Sequence, residues 1–351
     1  MRTTFLSTLL EVAAENQKVW LLCGDLGYSV LEPFVARFPE RFVNVGVAEQ
    51  NMAGIAAGLA LSGHTVFIYS IGNFPTIRCL EQLRNDVCYH GADVKVIAVG
   101  AGYAYGSQGY THHALEDVAI MSMLPSMEVF VPCDPIEVRL ATRAIAVSGR
   151  PSYLRLSRAG EPILSEAIPD TLERPRVLKK GKDVLLLASG PIAEQGLQAA
   201  SILEKEGLEV EVASVCAIKP LDENYIRGAA RNVSLVVTLE EHVLRGGLHS
   251  LVAVMLAGDA RRPPLLGIGI PDMSGKASIA SMYSAGVDHV LLASSAPKTY
   301  LRGTASTRLN RSAASSESAY TVDSEHMPSR TVVTPCRTDS RKPGSSSTSA
   351  S

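Results

Sequence analysis

Short apolar runs of strand length alternate with longer segments of helical period along most of this chain, and this alternation restricts the fold more than any other feature. In the first half it predicts strands at residues 19–23, 65–69, 94–99 and 128–131. It also predicts helices at residues 47–62, 76–87 and 135–147. Strands that alternate with helices form a parallel sheet with helices on both faces. The first half is therefore predicted to be a doubly wound α/β domain.

The pattern breaks down between residues 161 and 181, which are rich in proline and charge, and then restarts. Strands are predicted at residues 183–188, 209–215, 234–240 and 265–268, with helices at 193–206, 223–230 and 247–257. We therefore predict two mostly parallel α/β domains, 1–160 and 182–300, joined by a linker at 161–181. Residues 301–351 are rich in Ser, Thr, Ala and Arg and are predicted to be a disordered tail.

Composition argues against several classes of function. The chain has 351 residues, of which 46% are apolar, and a formal net charge of −2. This balance gives no reason to expect nucleic acid or a membrane surface as a partner. No apolar run reaches the length of about 20 residues that crosses a bilayer. The six cysteines are scattered without a Cys-x-x-Cys pair, so we predict reduced thiols in a soluble, cytoplasmic protein.

The segment from Asn44 to Ala60 is the most informative motif. It places Glu49 at the predicted start of a helix, where the helix dipole and the free backbone N–H groups favour a carboxylate. The helix face that follows is rich in alanine, so another backbone or helix can approach it closely. A glutamate at a helix start is more often a cap than a catalytic group, and helix geometry alone leaves both roles open.

A glycine-rich segment from Gly102 to Asp117 carries two adjacent histidines, His112 and His113. Glycines after a strand allow a ligand to approach the backbone closely, and His112 offers a group that titrates near neutral pH. The alternative is a loop that only caps the next helix. Adjacent histidines do not converge on one metal ion, and no Cys or carboxylate has a suitable ligand spacing, so we predict no zinc site.

Phe74 precedes a predicted helix. An aromatic ring at such a position could stack on a flat ligand, although a ring there more often belongs to the core. Phe74 by itself therefore assigns no function.

A series of short motifs follows in order along the first half: Asp25-Leu26, Gly46-x-x-Glu49-Gln50-Asn51-Met52, Asn73-Phe74, Gly106-x-x-Gly109-x-Thr111-His112, Glu116-Asp117, Pro132-Cys133-Asp134 and Leu156-Ser157-Arg158. In this order they resemble the pyrimidine-binding domain of transketolases. The second half resembles the transketolase C-terminal domain at Val237-Thr238-Leu239-Glu240-Glu241-His242 and Gly246-Gly247-Leu248. The ordered set of motifs is far more specific than any one of them.

The resemblance implies thiamine diphosphate as the cofactor, with Glu49, Phe74, Ile71 and Asp25 as its contacts in this chain. In that family, the glutamate that matches Glu49 contacts N1′ of the aminopyrimidine, where a bound proton favours the tautomer that activates the cofactor. Phe74 would pack on the aminopyrimidine ring. Ile71 stands where an aromatic residue is common, and it can still pack apolar surface.

The resemblance also implies transfer of a two-carbon ketol unit from a ketose, or ketose phosphate, to an aldose. His112 would be catalytic, because it would bind donor hydroxyls and stabilise charge that develops on oxygen. Ser29 and Arg158 match positions that bind a distal phosphate, for which arginine is well suited. Gln108 replaces an aspartate that reads a sugar hydroxyl, and Gly100 replaces a phosphate-binding histidine. These two departures leave the ketose and its phosphorylation open.

No Gly-Asp-Gly element followed by a magnesium-binding Asn occurs in the sequence. In thiamine enzymes that element holds Mg²⁺ and the diphosphate, so the resemblance implies that half of the site comes from another chain. We predict a partner subunit that matches the N-terminal half of transketolase and carries the metal motif. The assembly would be an α2β2 heterotetramer, with no metal site in this chain.

Four other interpretations stay open. A β subunit of a 2-oxo acid dehydrogenase also pairs with a diphosphate-binding chain, and a deoxyxylulose-phosphate-synthase-like enzyme would use the same cofactor. A nicotinamide-dependent oxidoreductase is a weaker alternative, because Gly100-x-Gly102-x-x-x-Gly106 misses the spacing of the dinucleotide fingerprint. The last is a non-catalytic regulatory subunit, in which Glu240-Glu241-His242 would simply end a strand.

Overall fold

The computed structural model describes residues 1–158 and 160–270. In these ranges the chain folds into two α/β domains, each built on a mostly parallel sheet, and the predicted fold class is confirmed. The predicted tail, 301–351, lies outside the described residues, as does the end of the second domain.

The strands of the described part are β1 (Val19–Cys23), β2 (Phe42–Asn44), β3 (Thr65–Ile71), β4 (Val94–Val99), β5 (Glu128–Phe130), β6 (Ser152–Leu156), β7 (Arg176–Lys179), β8 (Val184–Ser189), β9 (Val210–Ser214), β10 (Ala217–Lys219), β11 (Leu235–Val243) and β12 (Leu265–Ile270). The first sheet has the order β10-β5-β6-β4-β3-β1-β2, and the second has the order β12-β11-β8-β9-β7. The described pairs are parallel, except that β10 runs antiparallel to β5 and β7 runs antiparallel to β9.

The α-helices of the described part are α1 (Arg2–Glu15), α2 (Glu32–Arg37), α3 (Glu49–Leu61), α4 (Leu80–Gln82), α5 (Asp117–Met123), α6 (Pro135–Ser148), α7 (Ala193–Lys205), α8 (Glu223–Ala230) and α9 (Leu248–Leu256). Local sequence explains the ends of α6 well. The Asp134 carboxylate accepts from the Glu137 N–H at 3.0 Å, and Pro135 occupies the first turn, where its missing N–H costs nothing. Gly149 ends the helix in the left-handed conformation, at φ 67°.

Neighbouring residues of each central strand point to opposite faces of the first sheet. Leu21 and Phe67 pack in one apolar cluster with α1, α2 and α6, whereas Leu22 and Ile68 pack in another with α3 and α5. Burial on both faces explains why these strands read as continuous apolar runs. The second cluster continues into the second domain, which it reaches at residues such as Leu185.

Four strands of the described part, β2, β6, β7 and β10, lie outside the predicted strands. β7 lies within the predicted linker, 161–181, because a short edge strand with charged ends carries little apolar signal. Its Arg176 is buried and pairs with Asp134 at 2.5 Å. β10 belongs to the second half of the chain, yet it extends the sheet of the first domain. This pairing is tertiary, and no local pattern predicts it.

The helix predicted at 76–87 is irregular. A 3-10 turn at Ile77–Cys79 is followed by the single α-helical turn α4 and then by a π-helical turn at Leu83–Cys88. Such π-helical turns are frequent at functional sites. Within the described ranges, no helix is long and apolar enough to cross a membrane.

Candidate active site

Loops after five parallel strands of the first sheet bring the predicted site residues to one edge. β1 is followed by Asp25 and Ser29, β2 by Glu49, β4 by Gln108 and His112, and β6 by Arg158, whereas Ile71 and Phe74 lie at the end of β3. In the sheet, β2 lies on one side of β1 and β3 lies on the other, so the strand order reverses beside β1. Ligands of open α/β sheets bind at such a switch point, outside the carboxyl ends of the strands.

Glu49 is the first residue of α3, and its side chain is only 3% exposed. Its Oε2 lies 2.8 Å from Nη1 of Arg78, which is itself 45% exposed. Gly24 lies beside Glu49 after the end of β1, and a Cβ at position 24 would lie at an ordinary contact distance, 3.4 Å, from the Glu49 Cγ. The structure thus holds a buried carboxylate at a helix start, with Arg78 as its charged partner on the solvent side.

Phe74 connects Arg78 to His112. The Arg78 guanidinium carbon lies 4.4 Å from the centre of the Phe74 ring, and the His112 ring lies 5.2 Å from it in an edge-on arrangement. The Phe74 N–H donates to the Ile71 carbonyl at 2.8 Å, so the turn after β3 sets the position of the ring. Glu49, Arg78, Phe74 and His112 therefore form one continuous group of side chains.

The predicted site does not include Arg78. Its signal in the sequence is its position four residues after Phe74, a separation that brings side chains together on a helix. Because that segment departs from regular α-helix, the contact is visible only in the structure.

His112 lies in a loop that is closed at its base by two hydrogen bonds between Gly102 and Ala114, at 3.0 and 3.1 Å. Asn73 holds the loop by donating from Nδ2 to the His113 carbonyl at 2.6 Å. The Asn73 Oδ1 is buried and has no hydrogen-bond partner among the described residues. The Thr111 hydroxyl lies 3.0 Å from His112 Nδ1.

Asp25 joins the loop after β1 to the loop that leads to Glu49. Its carboxylate accepts from Asn44 Nδ2 at 3.2 Å and from the Tyr28 hydroxyl at 2.9 Å, and these hydrogen bonds lower the pKa of Asp25. Asn44 Oδ1 in turn accepts from the Gly46 N–H at 3.0 Å. Asp25 is exposed and adopts the left-handed region at φ 54°, which is uncommon for a residue with a side chain.

Ser29 is also exposed and left-handed, at φ 61°. Its N–H donates to Glu32 Oε1 at 2.7 Å, so this hydrogen bond stays within the loop after β1 and the helix that follows it. The structure places Ser29 at the same sheet edge but does not bring it to the group formed by Glu49, Arg78, Phe74 and His112.

Arg158 contacts the other end of the histidine loop. Its Nη1 donates to the Ala104 carbonyl at 3.3 Å, and its guanidinium carbon lies 5.5 Å from the centre of the Tyr105 ring. The Tyr105 ring occupies the space that a side chain at position 100 would need, which explains why Gly100 is glycine. Gln108 is exposed in the 3-10 turn that follows.

The donor groups at this edge do not form a metal centre. In the ranges 1–158 and 160–270, no group of three or more His, Cys, Asp or Glu side chains could hold a metal ion. The chemistry that the described edge offers is a buried carboxylate, an aromatic ring, an imidazole and an exposed guanidinium.

This fold defines a two-domain α/β protein with a candidate site at the edge of the first sheet. Residues 1–161 match the transketolase pyrimidine binding domain, and residues 174–290 match the transketolase C-terminal domain. The chain belongs to the transketolase family.

Similar proteins include chains that are named as transketolase subunits. One subunit of the apulose-4-phosphate transketolase of Phocaeicola vulgatus is 35% identical over 77% of this chain and 87% of its own length. The 6-deoxy-6-sulfo-D-fructose transketolase subunit SqwH of Clostridium sp. (strain MSTE9) is 36% identical over 80% of this chain and 87% of its own length. A solved structure described as "Split gene transketolase, inactive beta4 tetramer" matches with a TM-score of 0.74 and 37% identity, over 83% of this chain and 97% of that one.

Proposed function

We propose that this chain is the C-terminal-half subunit of a thiamine-diphosphate-dependent transketolase, which transfers a two-carbon ketol unit from a ketose or ketose phosphate to an aldose. The observation that carries the proposal is the buried Glu49 carboxylate at the start of α3, joined through Arg78 and Phe74 to His112. The related chains that are named as transketolase subunits support the same reaction class.

The residues present fit the aminopyrimidine of thiamine diphosphate. Glu49 offers a carboxylate for a ring nitrogen that carries a proton, and Arg78 occupies only its Oε2. Phe74 offers a ring against which the aminopyrimidine can pack, with Ile71 as adjacent apolar surface. Asp25 would support this end of the site, because its hydrogen bonds hold the loop that leads to Glu49.

Thiamine diphosphate, when bound, supplies a carbon nucleophile and an electron sink for the two-carbon fragment. The part of Glu49 is to hold a proton at N1′ of the aminopyrimidine, which its burial makes effective because water does not compete for the carboxylate. His112 would present Nε2 to a donor hydroxyl and stabilise charge that develops on the substrate oxygen.

The distal end of the sugar would meet Ser29, Gln108 and Arg158. Arg158 is exposed, carries a permanent charge and already lies at the edge of the histidine loop, so it would bind an anionic group such as a phosphate. Gln108 would donate to or accept from a sugar hydroxyl. The related transketolases act on a phosphorylated and on a sulfonated sugar by name, which supports an anion at this end.

We further propose that a partner subunit holds Mg²⁺ and the diphosphate, in a cytoplasmic α2β2 heterotetramer. Two observations support this assembly. The related apulose-4-phosphate and sulfofructose proteins are named as subunits of transketolases, and this chain covers most of their length. The similar solved structure is a tetramer of β chains and is described as inactive.

The test is to produce this chain together with a chain that carries the Gly-Asp-Gly…Asn element and to purify the complex. Ketol transfer is then measured with added thiamine diphosphate and Mg²⁺, from a panel of phosphorylated and unphosphorylated ketoses. Hydroxypyruvate is included because it donates the same two-carbon unit without a distal chain. We expect activity in the complex and none in either chain alone. A complex that decarboxylates 2-oxo acids but transfers no ketol unit would overturn the transketolase assignment.

A further inference from the structure

The end of β11, in the second domain, contacts the histidine loop at its start. The Glu241 carboxylate Oε1 accepts a hydrogen bond from the backbone N–H of Tyr103 at 2.9 Å, and both groups are buried. Gly102 makes this approach possible, because any Cβ at that position would overlap the Glu241 carboxyl group. Gly102 also adopts φ 58°, which glycine tolerates best.

The same strand end is tied to the far end of the loop through Arg155. Its Nη2 donates to the Ala114 carbonyl at 2.6 Å and to the Glu241 carbonyl at 3.0 Å, while its Nε pairs with Asp117 at 2.8 Å. The Val243 N–H also donates to the Leu115 carbonyl at 3.0 Å. The second domain thus holds both ends of the loop that contains His112.

Inside the loop, Tyr103 contacts one of the two histidines directly. The Tyr103 ring packs edge-on against the His113 ring at 4.9 Å, and His113 Nε2 lies 3.2 Å from the Gly106 carbonyl. His112 immediately precedes His113, and its ring lies 5.2 Å from the Phe74 ring. A shift of the Tyr103 backbone would therefore move His112 relative to Phe74.

We propose that Glu241 is a positioning residue for the histidine loop, and that through it the second domain sets where His112 lies in the active site. The inference rests on the proposed function for its effect on catalysis, but the loop contact itself does not depend on it. Removal of the Glu241 acceptor would leave the Tyr103 N–H buried and unpaired, and the loop would move to find another partner.

Three substitutions distinguish the loss of the Glu241–Tyr103 hydrogen bond from the loss of the Glu241 charge and from general destabilisation of the second domain. Glu241→Gln keeps an acceptor oxygen at the same reach without the charge. Glu241→Asp keeps the carboxylate but shortens the side chain by one methylene, so it no longer reaches the Tyr103 N–H. The matched control is Glu240→Ala, because Glu240 is the adjacent buried carboxylate and binds the start of α9 instead of the loop.

The experiment uses the purified two-subunit complex and two readouts. Hydrogen–deuterium exchange is followed for peptides that cover residues 102–114, and kcat and KM are measured with hydroxypyruvate as donor. We expect Glu241→Asp to exchange at least about tenfold faster in the loop and to lower kcat/KM about 10²-fold, mainly through kcat. Glu241→Gln should restore both values to within about threefold of wild type, because the hydrogen bond is kept. Glu240→Ala should leave loop exchange unchanged.

Loop exchange in Glu241→Asp at the wild-type rate would overturn the inference, as would equal loop exchange in Glu241→Asp and Glu240→Ala. A wild-type complex without ketol transfer would instead defeat the proposed function, and the exchange data would still decide the role of Glu241. If Glu241→Asp does not fold, the inference still fails when Glu241→Gln folds with an unprotected loop.

Discussion

Acidic residues and histidines lie at the ends of parallel strands in both domains, but their partners differ. In the first domain, Glu49 pairs with Arg78, a half-exposed side chain. At the end of β11 in the second domain, the Glu240 carboxylate accepts from the backbone N–H groups of Leu248 and His249, at 2.7 and 2.8 Å. A carboxylate that accepts from backbone N–H groups has a structural role. A carboxylate that pairs with a movable side chain can still bind a ligand.

His242 also has a structural role, because both of its ring nitrogens contact backbone groups. Its Nδ1 donates to the Val243 carbonyl at 2.6 Å, and its Nε2 accepts from the Ala119 N–H at 3.3 Å. Burial lowers the pKa of His242, so the neutral form that these two contacts require is favoured. Burial also raises the pKa of Glu240 to about 7. Perturbed pKa values often mark active sites, yet here they mark structural contacts: Glu240 binds within the second domain, and His242 joins that domain to α5 of the first.

The largest expected effect comes from the first-domain carboxylate. Glu49→Gln keeps the size of the side chain but removes the anion that would hold a proton at N1′, so kcat/KM for ketol transfer should fall about 10³-fold in the reconstituted complex. The matched change Glu240→Gln should leave kcat/KM within about threefold of wild type. If the two substitutions cost the same activity, the contrast between the two regions is wrong.

His112 comes next. His112→Asn removes the ring that would face the donor oxygen, and we expect kcat/KM to fall about 10²-fold for each donor that the complex accepts. His90→Asn is the control, because His90 precedes β4 and so lies at the opposite edge of the sheet. Full activity of His112→Asn with hydroxypyruvate would mean that His112 takes no part in the chemical step and only binds the sugar.

The second domain should show its own pH dependence of stability. The folded protein binds the Glu240 proton more tightly than the unfolded chain does, since the pKa rises from 4.5 to about 7. The resulting stabilisation is full below pH 4.5 and is lost as pH rises through about 7. Relative to Glu240→Gln, the free energy of unfolding of the wild type should fall by about 2 kcal/mol between about pH 5 and about pH 8.

Urea unfolding of both proteins across that pH range measures the difference. The comparison with Glu240→Gln cancels the titration of the other groups that the two proteins share. Parallel pH profiles would mean that the Glu240 carboxyl group is ionised at the same pH in the folded and unfolded states.

Arg78 gives the smallest effect. Its ion pair with Glu49 is half exposed and its contact with Phe74 is a cation–π interaction, so together they contribute about 1 kcal/mol. These contacts hold the Glu49 and Phe74 side chains that would meet the cofactor, so we expect Arg78→Met to weaken thiamine diphosphate binding to the complex about fivefold, as measured by titration of activity. Arg84→Met, on the exposed side of the same segment, should leave affinity unchanged. Tighter binding in Arg78→Met would mean that Arg78 competes with the cofactor for Glu49.

Much of the fold could be predicted because it depends on patterns within a few residues. The apolar runs at Val19–Cys23 and Val94–Val99 and the helix Glu223–Ala230 have the bounds that the sequence predicted. Each is flanked by polar or glycine residues that end the pattern sharply. The strand Ser152–Leu156 was missed as an element, because its buried Arg155 breaks the apolar run, and only the paired Asp117 makes that charge acceptable inside the protein.

The candidate site also contains residues that the sequence predicted and residues that only the structure shows. Motifs along the sequence identified Glu49, Phe74 and His112, because each follows a strand end in an ordered series, and the structure brings these three to one edge. Their roles, and those of Asp25, Ile71, Ser29, Gln108 and Arg158, stay predictions until the complex is assayed. Arg78 and Glu241 were not predicted as site residues, since neither belongs to a motif with a chemical meaning of its own.

The sequence by itself determined the alternation of strands and helices, the family and the identity of the groups that can do chemistry. Only the tertiary structure decided which groups meet. Arg78 reaches Glu49 across 29 positions, and Glu241 reaches Tyr103 across 138 positions. Local pattern reports the environment of each segment, but contacts between distant segments depend on strand order and on the space that residues such as Gly102 leave open.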